Sequence, residues 1–456
     1  MFNLSLLNIF DEDISFENKT VSLSTDSRTY SGEEVFVCLT GESFDGFNFI
    51  DEVLEKKCEV VIFKSSEENI LKMEKHSEKY SDVTFIGVDS PLVALQEIAR
   101  ERIKEFKSLG GYVFGITGSN GKTTTKEMLT ELLKAAFGSE VHSTKGNFNN
   151  HIGVPLTILS ADKNCKYMIV EMGSNHLGEI QTLCEIAKPE YGIISSVGAA
   201  HIGLFGSIDN IFKEKKSLFD YVKNNDLGNS KFVVNGDDAY LGKIPSDEIL
   251  IKFGKSEMCC PAFSDGEVRI NDSVVIKNVN IHEKYNFNNL ISALLLSISV
   301  FPEKKEQFIT AANEYKIPAL NRSEWIDKNG KKIFLDAYNA NPTSMESSLY
   351  SFIENIAKVN ISLEETLFVL GDMNELGEYT ESEHKRIGEI LKTKNAKHVA
   401  FVGGFSNYYD NGFKDGHVYL EKSQLESAWP ELSKKCKAIF IKASRSLQLE
   451  SLIDIT

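Results

Sequence analysis

The most informative segment of the chain reads Gly115-Ile116-Thr117-Gly118-Ser119-Asn120-Gly121-Lys122-Thr123-Thr124-Thr125. An apolar run precedes it at residues 112–114, and a segment with helical spacing of apolar residues follows it and can end at Gly138. A strand, a glycine loop and a helix in this order present backbone N–H groups and a helix N-terminus to an anion. Lys122 can then reach the β- and γ-phosphates, and the Thr123 hydroxyl can bind Mg²⁺. The sequence therefore predicts a site for a nucleoside triphosphate.

The loop itself narrows the class of nucleotide-binding protein. The general pattern has a glycine five residues before Gly121, but Ile116 stands there. The chain instead has Gly118, two further residues and then Gly121-Lys122-Thr123, which differs from ordinary kinases and GTPases. A glycine-rich turn with a solvated lysine is the alternative, and the order of strand, loop and helix disfavours it. The predicted nucleotide contacts are Gly118, Ser119, Asn120, Gly121, Lys122, Thr123 and Thr124.

Composition excludes several classes of function. The length of 456 residues favours about three domains. The net charge of −16 argues against nucleic acid as a partner, because phosphate neutralisation needs a basic face. Seven scattered cysteines without a C-x-x-C spacing suit a reducing cytosol and argue against disulfides or a zinc site. The N-terminus lacks a basic start and the longest apolar stretch, 290–301, is too short to span a bilayer, so we expect a cytoplasmic protein without membrane insertion.

Alternating apolar runs and helical segments predict an α/β protein of three domains. Residues 1–88 mix short strands and helices, which predicts a small α/β domain. Residues 89–316 predict a central P-loop domain with a doubly wound, mostly parallel sheet, in which residues 259–281 form a small antiparallel insert. Residues 317–456 predict a Rossmann-like α/β domain, but no G-x-G-x-x-G motif occurs there and we infer no dinucleotide.

The candidate strands of the two larger domains are short apolar runs. Those of the central domain are 113–116, 168–171, 192–195, 231–234 and 249–253, and those of the third are 333–336, 366–370, 399–402 and 438–441. A helix start is predicted at Asp89-Ser90-Pro91, because proline is favoured at the first helical position.

Two polar residues near strand ends are candidate metal ligands. Glu171 ends an apolar strand, and in open α/β sheets ligands bind at the carboxyl ends of strands. A carboxylate beside a P-loop is well placed to hold Mg²⁺, whereas the alternative is a strand-end glutamate that faces water. His201 lies at the end of a further apolar strand and is either a structural histidine or a Mg²⁺ ligand or phosphate neighbour.

Three further positions have a plain interpretation from the residues alone. Lys215 is one of three lysines in residues 213–216 on a predicted helix, which indicates a solvated face. Residues 336–344 follow a strand, and they either orient a ribose and phosphates or form an Asx-rich turn before a helix capped by Thr343. Arg322 lies near a domain boundary, where a lone arginine is usually solvated.

These residues together resemble the Mur ligase family, ATP-dependent enzymes that build the peptide stem of the bacterial cell wall. The resemblance covers nearly the whole chain. The motifs that carry it are Thr25-Asp26-Ser27-Arg28, Lys145–Thr157, Asp336–Pro342, Leu370–Gly377 and Lys442-Ala443-Ser444-Arg445. Residues 145–157 are most similar to the ligases that act last in the series, which join D-alanyl-D-alanine to UDP-N-acetylmuramoyl-tripeptide through an acyl phosphate.

The resemblance implies roles for single residues and two Mg²⁺ ions. Lys122, His201 and Lys215 would be catalytic, and Lys215 matches a lysine that the family carboxylates with CO₂ to hold the second ion. The implied metal ligands are Thr123, Glu171, His201 and the carbamylated Lys215. Implied ATP contacts beyond the loop are Asn289, Arg322 and Asp336, and implied contacts to the UDP-linked substrate are Ser27, Arg28, Asn149 and Asn150. The resemblance also implies a monomer.

The chain departs from the family pattern at three positions. Ser217 replaces a usual glutamate, Tyr285 a frequent histidine and Ala443 a glycine, and none of these changes removes a reacting group. Three alternatives stay open from the sequence. The short loop is shared with folylpolyglutamate synthetases, an earlier Mur ligase adds the third residue of the peptide, and a non-catalytic scaffold can keep the fold.

Overall fold

The computed structural model describes residues 1–10, 16–41, 44–255, 257, 261–264, 267–270, 274–318 and 322–456. Three larger sheets with predominantly parallel strands follow one another along the chain, and helices pack on them. The predicted α/β class is therefore confirmed. The sheets fall one in each of the three predicted domains, whose boundaries stay a prediction. Within this part of the chain no helix is long and apolar enough to cross a membrane.

The first sheet lies near the N-terminus and has four parallel strands in the order β3-β4-β7-β8. Its buried valine, isoleucine and phenylalanine side chains pack on two helices and explain why these short apolar runs are strands. The elements are β1 (Phe2–Asn3), β2 (Thr20–Val21), β3 (Leu23–Ser24), β4 (Val35–Val37), β5 (Thr40–Gly41), β6 (Phe44–Asp45), α1 (Ile50–Leu54), β7 (Val60–Lys64), α2 (Glu67–Lys79) and β8 (Thr84–Val88).

Helix α3 (Pro91–Ser108) connects this sheet to the next one. Ser90 caps it by accepting the Val93 N–H at 3.4 Å, and Pro91 occupies the first turn, so the predicted helix start is confirmed. Its buried face belongs to the core below the central sheet.

The central sheet has six strands, all parallel, in the order β10-β11-β9-β12-β13-β14. Helices cover both faces, as the predicted doubly wound sheet requires. The elements are β9 (Tyr112–Thr117), α4 (Lys122–Phe137), β10 (Val141–Ser143), α5 (Gly153–Ser160), β11 (Tyr167–Glu171), α6 (Glu179–Ala187), β12 (Tyr191–Ile194), α7 (Ile202–Phe205), α8 (Ile208–Asn224), β13 (Lys231–Asn235), β14 (Leu250–Phe253), β15 (Pro261–Ser264), β16 (Glu267–Ile270), β17 (Val274–Lys277), α9 (Lys284–Val300) and α10 (Lys305–Glu314).

The position of β9 in this sheet determines where a ligand can bind. After β9 the chain turns first to β10 and β11 on one side and then to β12 on the other, so the strand order reverses at β9. A crevice forms at the carboxyl ends of strands at such a switch point. The strands β15, β16 and β17 form a separate antiparallel sheet, which confirms the predicted insert for its described residues.

The third sheet has the order β18-β19-β23-β20-β21-β22, and only the edge pair β18–β19 is antiparallel. Stacked phenylalanines on one face, among them Phe334 and Phe440, hold α11 against the strands. The elements are β18 (Glu324–Lys328), β19 (Lys331–Asp336), α11 (Pro342–Lys358), β20 (Thr366–Gly371), α12 (Thr380–Thr393), β21 (His398–Val402), α13 (Ser406–Phe413), β22 (His417–Tyr419), α14 (Lys422–Ser433) and β23 (Ala438–Lys442).

In the two six-stranded sheets, the nine predicted strands are present with ends within one or two residues, and three edge strands were not predicted. The missed strands are β10, β18 and β22, each partly exposed and partly polar, so apolar runs do not reveal them. The predicted cap of α11 is also wrong. Asn341, and not Thr343, accepts the Ser344 N–H at 3.0 Å, and the Ser344 hydroxyl completes a capping box.

Candidate active site

A cavity of about 590 Å³ opens where the carboxyl ends of the central strands face the third domain. Its walls include the loops after β9, β10, β11, β12, β13 and β19, together with the start of α9. Thirteen of the residues predicted from sequence line it: Ser119, Asn120, Gly121, Lys122, Thr123, Thr124, Asn149, Asn150, Glu171, His201, Asn289, Arg322 and Asp336. The cavity therefore brings together side chains that are more than 200 positions apart.

The glycines of the loop are required by its geometry. Gly118 has φ +146°, and a Cβ there would lie 2.2 Å from the Ser195 Oγ. Gly121 has φ +82°, and a Cβ there would lie 2.8 Å from the Asn289 Oδ1. Side chains rarely adopt this backbone, and neither neighbour leaves room for one. The loop can therefore approach both β12 and α9 closely, which leaves the start of α4 open to the cavity.

The loop after β12 braces the phosphate loop from the side. Ser196 accepts the Ser119 N–H through its carbonyl at 2.8 Å and the Asn120 N–H through its hydroxyl at 3.0 Å. The Ser119 hydroxyl exchanges hydrogen bonds with the Gly198 backbone at 2.9 and 3.0 Å. The first N–H groups of α4 have no intrahelical acceptor, because every helix leaves its first turn unpaired. They are the donors that remain to hold an anion.

Lys122 is folded back on its own loop. Its Nζ donates to the Gly118 carbonyl at 2.7 Å and to the Ser119 carbonyl at 3.2 Å. Burial lowers the pKa of Lys122, the nearby Glu171 raises it and Arg322 lowers it. An ammonium held by two carbonyls at the entrance of a helix can exchange them for phosphate oxygens without leaving the cavity.

Glu171 provides the strongest test of whether the site fits a metal ion. It is 1% exposed, and its Oε1 accepts the Thr123 hydroxyl at 3.2 Å and the Asn149 amide at 2.8 Å. Its Oε2 is buried without a hydrogen-bond partner among the described residues. A buried carboxylate oxygen without a partner is costly, and a cation between Glu171, Thr123 and a phosphate would remove that cost.

The described residues contain no group of three His, Cys, Asp or Glu side chains arranged to hold a metal. The buried Glu171 carboxylate beside the Thr123 hydroxyl fits Mg²⁺, which is usually held by one or two carboxylates together with substrate phosphates and water. The sequence alternative of a water-facing Glu171 is wrong, since the side chain is buried.

The sequence suggested that His201 lies at the end of a strand, but the structure places it elsewhere. Strand β12 ends at Ile194, and His201 lies seven residues later at the N-cap of α7, with φ +56°. Its Nδ1 is paired with the Glu375 carboxylate of the third domain. Burial lowers the pKa of His201, Glu375 raises it, and Lys122 and Lys215 lower it. His201 thus connects the central domain to the third one.

Lys215 is buried, and its predicted position on a solvated face is therefore wrong. The side chain is 2% exposed, because α8 turns this one lysine inward while Lys213 stays exposed. Its Nζ donates to the Ser174 hydroxyl at 2.7 Å. Burial and the charge of Lys122 lower the pKa of Lys215 to about 7. Its amine is therefore partly neutral, and nucleophilic, at neutral pH.

The lowered pKa of Lys215 predicts a pH-dependent stability. The unfolded chain has the ordinary pKa of 10.5, so it binds more protons than the folded chain between about pH 7 and 10.5. The free energy of unfolding contributed by this group therefore rises with pH through that window. We expect Lys215→Met to lose this rise when urea unfolding of both proteins is compared at pH 7 and pH 9 in CO₂-free buffer. Parallel pH profiles for the two proteins would contradict the expectation.

The third domain contributes a second wall. The Arg322 guanidinium lies 3.7 Å from the centroid of the Tyr338 ring, so it stacks on this ring. The expectation of a solvated arginine is therefore wrong. Asp336 is buried and its Oδ2 accepts the Lys442 Nζ at 2.5 Å and the Ser348 hydroxyl at 2.9 Å. Residues 336–344 include both residues that line the cavity and the cap of α11, so the turn before a helix is confirmed, and a role in orienting the nucleotide stays a prediction.

The central domain and the third domain are in contact at the phosphate loop. The Asn341 amide donates to Asn120 Oδ1 at 2.7 Å, and the Asn120 amide donates back to Asn341 Oδ1 at 3.3 Å. The Ala199 N–H donates to the Thr343 hydroxyl at 3.0 Å. The N-terminus of α11 is therefore packed directly on the nucleotide loop.

Some predicted residues lie elsewhere or have structural partners. Arg28 is exposed and paired with Asp26 at 2.7 Å, and neither it nor Ser27 lines the cavity. Asn150 accepts the Gly153 N–H at 2.9 Å and so shapes the turn before α5. The Asn149 side-chain amide donates a hydrogen bond to the Glu171 carboxylate at 2.8 Å.

Sequence reasoning did not single out Ser174, quoted Lys442 only as part of a family motif, and missed the pairing of Glu375 with His201. Each acts through a contact between distant segments. A polar residue shortly after a predicted strand is the one signal that could have found them.

The fold and the cavity define a P-loop nucleotide-binding protein of the α/β class. Three family models match the chain in order: "Mur ligase family, catalytic domain" over residues 20–103, "Mur ligase middle domain" over 116–296 and "Mur ligase, glutamate ligase domain" over 321–428. The chain belongs to the Mur ligase family, whose members are ATP-dependent ligases that form amide bonds.

Individual relatives resemble the chain over almost its full length. The UDP-N-acetylmuramoyl-tripeptide–D-alanyl-D-alanine ligase of Bacillus subtilis (strain 168) is 31% identical and covers 94% of this chain and 92% of the relative. That of Treponema pallidum (strain Nichols) is 29% identical, again over 94% and 92%. The MurF ligase of Thermotoga maritima, solved in complex with ADP, is 26% identical with a TM-score of 0.77 over 96% and 97% of the two chains. MurF from Acinetobacter baumannii has the same fold, with 23% identity and a TM-score of 0.83 over 100% and 98%.

Proposed function

We propose that this chain is the ATP-dependent ligase that joins D-alanyl-D-alanine to UDP-N-acetylmuramoyl-tripeptide in the synthesis of peptidoglycan precursors. The observation that carries the proposal is the cavity, where a phosphate loop, a buried unpaired carboxylate oxygen and polar residues of the third domain meet. The similarity to ligases with this name, over 94% of this chain and 92% of each relative, supports these substrates within the family.

The reaction has to activate a carboxylate, which has no leaving group for an amine to displace. The terminal carboxylate of the tripeptide attacks the γ-phosphorus of ATP, ADP leaves, and an acyl phosphate forms. The amine of D-alanyl-D-alanine then attacks the acyl carbon and gives a tetrahedral intermediate. This intermediate loses a proton and expels inorganic phosphate, which leaves the new amide bond. Both steps need charge neutralisation and positioning more than covalent help from the protein.

The chain's own residues supply that neutralisation. Lys122 leaves its two loop carbonyls and binds the β- and γ-phosphates, while the N–H groups of the first turn of α4 hold the remaining oxygens. Arg322 and Asp336 contact the nucleotide from the third domain, and Asn289 contacts it from α9. The Asn120–Asn341 pair keeps the two domains together, which excludes the water that would hydrolyse an acyl phosphate.

Metal ions complete the charge balance in this proposal. Thr123 and Glu171 would hold one Mg²⁺, and His201 with a carbamylated Lys215 would hold a second. Bound Mg²⁺ supplies a positive charge that offsets the repulsion between the substrate carboxylate and the γ-phosphate. The partly neutral Lys215 amine supports carbamylation, because only an uncharged amine attacks CO₂, with loss of one proton.

The remaining assignments follow from the same proposal. Ser27 and Arg28 would contact the uridine nucleotide, and Asn149 and Asn150 would contact the muramoyl or peptide portion. We propose a monomer that works in the cytoplasm, where ATP and nucleotide-linked precursors are found. The domain limits 1–88, 89–316 and 317–456 remain a prediction.

The test is phosphate release from ATP in the presence of Mg²⁺ and UDP-N-acetylmuramoyl-tripeptide, measured with and without D-alanyl-D-alanine. We expect release to require both substrates, and mass spectrometry to find a product heavier by one D-alanyl-D-alanine minus water. Tripeptides with a different third residue can then be ranked by rate. Phosphate release that occurs with an amino acid and a UDP-linked dipeptide precursor would favour the Mur ligase that adds the third residue. No phosphate release with any acceptor would favour a non-catalytic scaffold protein.

A further inference from the structure

Glu214, the neighbour of Lys215 on α8, is a buried carboxylate that binds backbone and not a ligand. Glu214 is only 1% exposed to solvent. Its Oε2 accepts the Gly178 N–H and its Oε1 accepts the Ile180 N–H, each at 2.7 Å. Burial of a carboxylate is costly unless hydrogen bonds replace water, and bonds from N–H to a carboxylate are strong ones. Glu214 therefore anchors the start of α6 to α8.

The anchored segment, residues 174–180, borders the cavity. It follows Glu171 along the chain, and Ser174, Asn175 and Glu179 line the cavity wall. The Ser174 hydroxyl accepts the Lys215 Nζ at 2.7 Å. Two successive residues of α8 thus hold the two ends of this segment, since Lys215 binds Ser174 and Glu214 binds Gly178 and Ile180.

Glu179 stabilises the same segment in a different way. Its Oε2 accepts the Asn175 and His176 N–H groups at 2.6 and 3.1 Å, so it closes a turn inside the segment. These bonds fix the shape of the turn, but they do not fix its position relative to α8. Only a contact from outside the turn can do that, and Glu214 provides two.

We propose that Glu214 is a positioning residue, which sets the 174–180 segment against α8 so that the Ser174 hydroxyl meets the Lys215 amine at the edge of the cavity. The inference rests on the proposed function, because Lys215 and this wall belong to the site of ligation. Without the carboxylate the turn keeps its shape and shifts away from Lys215, and a small shift in an active site costs much of the rate.

The test compares Glu214→Gln with the control Asp209→Asn, which removes an exposed carboxylate from the same helix. Glutamine keeps the size of the side chain, but its NH₂ group faces one of the two N–H donors. We expect faster hydrogen exchange of the Gly178 and Ile180 amides in Glu214→Gln. We also expect kcat to fall by about 10- to 100-fold while KM for ATP is unchanged, because the phosphate loop has other supports. Asp209→Asn matches the wild type in both measurements.

A second variant separates positioning from general stability. Ser174→Ala removes the contact to Lys215 and is expected to lower kcat to a similar extent without faster exchange at Gly178 and Ile180. In the double variant the two losses should not add, because both act through the same contact. Additive losses, or wild-type kcat in either variant, would overturn the proposal. If Glu214→Gln does not fold, wild-type kcat in Ser174→Ala overturns it alone.

The proposed function and this inference fail in distinguishable ways. If the wild-type protein does not ligate, the proposed function fails, while amide exchange still reports whether Glu214 holds the segment. The reaction of the Lys215 amine with ¹³CO₂, read by ¹³C NMR, then replaces kcat as the measure of its position. Unchanged ¹³CO₂ uptake in Glu214→Gln overturns the inference in that case.

Discussion

Lys122→Ala is expected to abolish ligation while the protein stays folded. The wild-type ammonium is held by the Gly118 and Ser119 carbonyls, where it is ready to receive the phosphates. Without the Lys122 ammonium, the repulsion between the γ-phosphate and the incoming carboxylate is no longer offset by this positive charge. Removal of one preorganised charge-stabilising group typically costs about 10²- to 10³-fold in rate. The measurement is the phosphate release from ATP that requires both UDP-N-acetylmuramoyl-tripeptide and D-alanyl-D-alanine. Circular dichroism establishes that the variant is folded.

The matched control is Lys134→Ala, which removes an exposed lysine from the same helix. Its ion pair with Glu131 lies on the surface, so both rate and stability should stay close to those of the wild type. We also expect Lys122→Ala to be no less stable than the wild type, because burial disfavours the charged form of this lysine. A folded Lys122→Ala protein with full activity would remove the phosphate role of this residue.

Lys215→Ala is expected to be nearly inactive and to recover part of its activity when a small carboxylate such as acetate is added. The variant cannot form the carbamate, and the second Mg²⁺ then loses a ligand. Metal ions are worth several kcal/mol of charge stabilisation, which corresponds to a loss of about 10²-fold or more. Alanine leaves a space beside Ser174 and Phe205, which a free carboxylate can enter.

The control for this experiment is Lys213→Ala. It removes a second positive charge from α8 two residues away, but this side chain is exposed and should not affect the rate. Acetate should then accelerate Lys215→Ala and leave Lys213→Ala unchanged. Full activity of Lys215→Ala without any added carboxylate would remove the carbamate from the mechanism, whereas inactivity with no rescue by any carboxylate would reduce Lys215 to a structural role.

The site could be predicted best where its chemistry is local in the chain. The strand, the glycines and Lys122-Thr123 are consecutive, and the same short segment forms the loop in the structure. Glu171 was identified because it ends an apolar strand, and the strand ends where it was expected. Lys215 was misjudged from the residues alone because three nearby lysines suggest a solvated face. The orientation of α8 turns one of them into the core.

The sequence by itself determined the three α/β units, the phosphate loop and the carboxylate beside it, because these depend on apolar periodicity and on short motifs. Only the tertiary structure decided that His201 meets Glu375, that Asn120 meets Asn341 and that Lys215 is buried against Ser174. The first two contacts join the central domain to the third, and the last joins a helix and a loop that are packed together within the central domain. Their geometry and the lowered pKa of Lys215 depend on burial and neighbouring charge, which no local pattern of residues specifies.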